Sequence, residues 1–115
     1  MANDILRIAV SAGAREGHKI LTMQGPLTLQ TVFEFQSAAR AEHAPVLILD
    51  FAGVPYVDSA GLGAIVGALV TAQRAKRKLA VAGLSEKAKA LVKMSHLGSV
   101  IHPYDTVQDA EKALE

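Results

Sequence analysis

The sequence contains no cysteine. That absence excludes disulfides, thiolate catalysis and cysteine-ligated zinc, and it fits a reducing compartment. Neither sign of charge is in excess. Twelve Lys and Arg face 11 Asp and Glu, for a formal net charge of +1. No broad field therefore recruits nucleic acid or an anionic membrane. The richest apolar stretch, Ser59 to Ala72, is shorter than the about 20 residues that a membrane-spanning helix needs. The start, Met1-Ala2-Asn3-Asp4, shows no basic segment followed by an apolar one. No signal peptide is expected, and the expected location is cytoplasmic.

What is present is a folding composition, with 50% hydrophobic and 20% charged residues. The 115 residues suit one domain, 1–115, with one core. Leu6, Ile8 and Val10 alternate with Arg7 and Ala9, a strand pattern. Gly13 to Gly17 reads as a turn, and His18 to Gln24 as a second strand hairpinned to the first. Thr28 is placed to cap a helix running to about Glu42, with Leu29, Val32, Phe33 and Phe35 as its apolar members. Val46-Leu47-Ile48-Leu49 is a continuous apolar run, the mark of a strand buried on both faces. A loop from Ala52 to Asp58 leads into a helix from about Ala60 to Ala75. Leu79 to Ala82 reads as a strand and Ser85 to Met94 as a helix with Ala88, Leu91 and Val92 facing in. Val100-Ile101 reads as a short strand. Asp105 is placed to cap a last helix, with Gln108 as its capping-box partner and Val107, Ala110 and Leu114 as its apolar stripe. The expected class is α/β: a mixed, mostly parallel sheet with about four helices and an antiparallel N-terminal edge.

The helix from Ala60 is unusual on its second side. Leu62, Ile65, Val66 and Leu69 share one face, expected on the sheet. The other side carries Ala60, Gly63, Ala64, Gly67, Ala68 and Thr71, with none of the long polar side chains of a solvated face. Glycine within a helix costs up to about 1 kcal/mol relative to alanine, so Gly63 and Gly67 point to a close approach. A neighbouring helix of the same domain explains that approach, and so does a partner docked on an apolar patch. Ser59 begins the helix. Serine is a good N-cap, and Asp58 is an alternative cap. Free N–H groups at a helix start also favour anionic oxygens. A phosphoryl group on Ser59 would therefore be tolerated by the fold, although Asp58 repels it. It would also place about two negative charges at the rim of an apolar surface.

Other chemistries fit less well. Val57-Asp58-Ser59-Ala60-Gly61 lacks the first glycine of a nucleophile elbow, and no spacing ties His96 or His102 to Ser59. Gly61-x-Gly63 to Gly67 is one residue longer than a dinucleotide fingerprint and has no acid closing the next strand. No cofactor or metal is expected. The histidines, His18, His43, His96 and His102, are scattered and read as surface or capping residues. Arg74, Lys76, Arg77 and Lys78 read as favourable charge at a helix C-terminus. With two tyrosines they make a poor nucleic-acid surface.

Asp50 to Gly67, centred on Val57-Asp58-Ser59-Ala60-Gly61-Leu62-Gly63, resembles the signature of the anti-sigma factor antagonists of the STAS class. Gly25-Pro26-Leu27, Lys78 to Ser85 and Met94-Ser95-His96-Leu97 extend the resemblance over nearly the whole chain. It implies a non-enzymatic protein that binds a serine-kinase anti-sigma factor and so releases a sigma factor. The kinase would phosphorylate Ser59 from its own ATP, and a PP2C-type phosphatase would reverse this. The expected docking residues are Asp58, Ala60, Gly61, Gly63, Ala64, Gly67, Ala68 and Thr28. At Thr28 the family often has an acidic residue. STAS domains also serve as scaffold subunits of lipid-transport ATPase complexes, and some bind nucleotides or other ligands. No residue here argues for the ligand role.

Overall fold

A computed structural model describes residues 5–114. Met1 to Asp4, read above for a leader, lie outside the described residues, as does Glu115. Four strands, β1 (Arg7–Ala12), β2 (His18–Gln24), β3 (Val46–Gly53) and β4 (Lys78–Ala82), form one sheet in that spatial order. β1 pairs antiparallel with β2, while β2–β3 and β3–β4 are parallel. The helices are α1 (Val32–Ala41), α2 (Ser59–Arg74), α3 (Glu86–Met94) and α4 (Val107–Ala113). The expected mixed, mostly parallel α/β class is the observed one.

The apolar run of β3 is central because it has a parallel neighbour on each side. Alternate residues feed two cores. Leu47, Leu49 and Phe51 join Leu21, Met23 and Val81 beneath α1, α2 and α3. Val46 and Ile48 join Ala80 and Ala82 beneath α4, which Ala110, Val107 and Leu114 dock from the other face. Full burial of such side chains stabilises by about 1.5–3 kcal/mol each. Phe35 of α1 is fully buried and meets Phe51, with ring centroids 6.5 Å apart. The edge strand β1 gains less, since Ile8 is half-buried and Val10 is exposed.

Several local expectations need correction. Helix α1 begins at Val32, because Pro26 to Thr31 form a tight turn. Thr31 Oγ1 accepts from the Thr28 N–H at 2.9 Å and donates to the Pro26 carbonyl at 2.8 Å. Thr28 is therefore no cap, and Leu29 and Phe33 are exposed. Val100-Ile101 is not a strand. The N–H groups of both residues bond to the Leu97 carbonyl, and Ile101 alone is buried. The bridge to β4 comes instead from Tyr104, opposite Ala82. Thr106, not Asp105, caps α4, its side chain accepting from the Asp109 N–H at 3.0 Å. Asp105 pairs with Lys89, whose pKa it raises first and Glu86 next. His18 is buried rather than superficial. Its Nδ1 lies 3.0 Å from Glu111 Oε1, and the same carboxylate accepts from the Ala14 N–H at 3.0 Å. Glu111 thereby fastens the β1–β2 turn to α4.

Candidate functional site

Two segments meet beyond the C-terminal ends of β2 and β3. Leu27 and Val57 form a parallel bridge. The Leu27 N–H donates to the Tyr56 carbonyl at 2.9 Å, and the Asp58 N–H to the Leu27 carbonyl at 3.2 Å. The approach is close enough to require Gly61, since a Cβ there would strike the Leu27 carbonyl oxygen. Asp58 then caps α2. Its Oδ1 accepts from the Gly61 N–H at 2.8 Å, while its Oδ2 accepts from the Leu29 N–H at 3.1 Å. Of the two cap candidates in the sequence, Asp58 is thus the one used.

Ser59 is left as the first helical residue, exposed. Its hydroxyl makes no hydrogen bond among the described residues, and the N–H groups of Ser59 and Ala60 have no acceptor there either. A free hydroxyl, two free amides and the positive end of a 16-residue helix therefore coincide, a setting that stabilises added negative charge. Next to them Leu29 is 69% exposed and Tyr56 52% exposed. Sequence reasoning missed this pair. Leu29 passes for a core residue by periodicity, and Tyr56 carries no pattern at all.

The small-residue side of α2 divides. Ala64 is buried and belongs to the core, and Gly61 is buried against Leu27. Ala60 and Ala68 are half-buried, while Gly63 and Gly67 are exposed. The close approach expected at the two glycines does not come from the described residues: a Cβ at either would meet nothing within 4 Å. Thr28 lies beside Leu29 but is itself buried, with its hydroxyl donating to Gln30 Oε1 at 3.0 Å. The accessible part of the expected docking surface is thus Asp58, Ala60, Gly63, Gly67 and Ala68, with Ser59 exposed beside it.

The remaining candidates fall elsewhere. His43, His96 and His102 are exposed, and no hydrogen bond joins His96 or His102 to Ser59. Among the described residues no three potential metal ligands come together. No helix among them is long and apolar enough to cross a membrane. In the basic cluster, Arg74 lies in the last turn of α2. Arg77 serves α1 instead, its Nη1 donating to the Glu42 carbonyl at 2.9 Å.

A family model for the STAS domain matches residues 9–110. The chain belongs to the STAS domain family. Solved structures share this fold over most of its length. An anti-sigma factor antagonist from Mycobacterium paratuberculosis superposes with a TM-score of 0.84 at 18% identity, covering 96% of this chain and 94% of that one. The phosphorylated form of the Bacillus cell fate determinant SpoIIAA gives 0.70 at 14% identity, with 95% and 100% covered. A sulfate transporter family protein from Wolinella succinogenes gives 0.74 at 17% identity, with 85% and 84% covered. At these identities the likeness is one of fold. An anti-sigma factor antagonist and a sulfate transporter family protein share this fold, so the fold by itself assigns no role.

Proposed function

We propose that this STAS domain is an anti-sigma factor antagonist that works by partner switching in the cytoplasm. The unmodified surface around Ser59 binds an anti-sigma factor that is also a serine kinase, and so frees a sigma factor. The kinase transfers the γ-phosphoryl group of its ATP to Ser59 Oγ, and the hydroxyl proton leaves. A PP2C-type phosphatase hydrolyses the ester and restores the binding state. The domain itself is substrate and ligand, not enzyme.

The observation that carries this reading is the division of labour between Asp58 and Ser59. Asp58 caps the helix and holds Leu29, which leaves the Ser59 hydroxyl exposed and without a hydrogen bond among the described residues. A serine kept only as a cap would have that oxygen engaged. Leu29, Tyr56 and the Gly63–Gly67 edge of α2 give apolar contact around it. Phosphorylation puts about two negative charges into the middle of that surface. The fold tolerates them, because the free Ser59 and Ala60 N–H groups and the helix dipole offset repulsion from Asp58. A partner that must desolvate the phosphate does not.

The buried, uncharged Thr28 favours a second reading, a non-phosphorylated scaffold subunit of a lipid-transport ATPase complex. Ser59→Asp separates the two. Loss of binding to the co-purifying kinase supports the switch, and unchanged binding of a transporter ATPase supports the scaffold.

A further inference from the structure

The two crossover helices touch but leave a gap along their facing sides. A cleft of about 320 Å³ lies between α1 and α2, within the size range of small-molecule sites. The α2 sequence creates it, since the space beside Gly63 and Gly67 is open. Buried Phe35 and Ala64 contribute apolar surface to its lining. On the α2 side the lining runs from Ala60 to Thr71 at helical spacing, a length of about 16 Å.

The cleft carries its charge at one end, and Gln36 and Thr71 add uncharged polar groups to its walls. Both helices connect one parallel strand to the next, so they run in the same direction and their C-terminal ends lie together. Arg40 and Arg77 stand at that end, and Val32 lies at the other. Among the described residues no Asp or Glu lines the cleft. Arg40 has no partner among the described residues. Arg77 gives one N–H to the Glu42 carbonyl and keeps further guanidinium donors.

We propose that this cleft binds a medium-chain carboxylate, with its alkyl chain along Phe35, Gly63 and Gly67 and its carboxylate on Arg40 and Arg77. Two arginines with no lining acid select an anion, and planar guanidinium groups suit a carboxylate. The long apolar wall selects an extended chain. The cleft, at about 320 Å³, lies at the small end of the range for ligand sites, which favours a short chain such as octanoate. The inference does not rest on the partner-switching reading.

Titration with octanoate, and with octanol as its uncharged counterpart, tests it by amide chemical shifts and thermal shift. Octanoate is expected to give saturable shifts confined to the facing sides of α1 and α2 and to raise the melting temperature. Octanol is expected to bind about tenfold more weakly, and Arg40→Gln to weaken octanoate by about tenfold. Gly67→Leu fills open space and is expected to keep the fold and abolish the octanoate shifts. Gly63→Val on the same wall replaces it if Gly67→Leu does not fold. Absence of saturable shifts in the parent protein would overturn the proposal. So would octanol binding as tightly as octanoate, or octanoate binding unchanged in the filled variant.

Discussion

The Asp58 carboxylate accepts a hydrogen bond from the Leu29 backbone N–H at 3.1 Å, across 29 positions of sequence. The other oxygen of the same carboxylate caps α2. One side chain therefore fixes the turn after β2 to the helix after β3, and Ser59 is presented between them. Asp58→Ala removes the cap and the tether together. It is expected to destabilise by about 1–2 kcal/mol in urea unfolding. Ser59→Ala removes no side-chain hydrogen bond among the described residues and is expected to stay within about 0.5 kcal/mol of the parent. A larger loss for Ser59→Ala than for Asp58→Ala would show that Ser59 is the cap.

The glycines of α2 give a second prediction. Gly63→Ala and Gly67→Ala enter open space and are each expected to stabilise by up to about 1 kcal/mol. Gly67→Arg should fold and lose the kinase partner. Ala64→Arg should not fold, because Ala64 is 6% exposed and lies in the core. A melting curve for each, with a pull-down for Gly67→Arg, checks the set. A folded Gly67→Arg that binds as the parent does would remove this edge from the docking surface.

How far the sequence foretold this picture depends on the kind of signal. The β3 run and the α2 motif were legible because burial on both faces and a specific residue string leave few alternatives. Leu29 and Phe33 were not. Hydrophobicity placed them inside, but the Thr31 hydroxyl organises Pro26 to Thr31 as a turn, and α1 starts one turn late. With Phe35 inward, Phe33 falls on the solvent side at 71% exposure. Asp58 over Ser59 and Thr106 over Asp105 are choices between adjacent good caps, which loop geometry alone decides. Val100-Ile101 looked like a strand because an apolar pair carries no period. The open α1–α2 cleft was invisible for a related reason: small residues mark a close approach or an empty space equally well.

Exposure of Phe33 has its own consequence. Phe33→Ser should change stability by no more than about 0.5 kcal/mol, whereas Phe35→Ala should cost about 3–5 kcal/mol. Chemical denaturation of the two variants reads the register of α1 directly. Equal losses would place Phe33 in the core after all.

At the opposite end of β2, Glu111 serves His18 and the Ala14 N–H at once. Glu111→Ala leaves both without that acceptor and is expected to cost about 1–3 kcal/mol. It should leave partner binding unchanged at temperatures where the variant is folded, since the clamp lies at the β1–β2 turn and not at Ser59. Loss of binding in a fully folded Glu111→Ala would indicate a second contact surface.

The most direct measurement is intact mass spectrometry with peptide mapping on the protein recovered from its native host, with its co-purifying proteins identified. A fraction phosphorylated on Ser59 is expected, with a kinase-type anti-sigma factor bound to the unmodified fraction. An unmodified Ser59 together with a transporter ATPase in the eluate would contradict this expectation and make the domain a scaffold subunit.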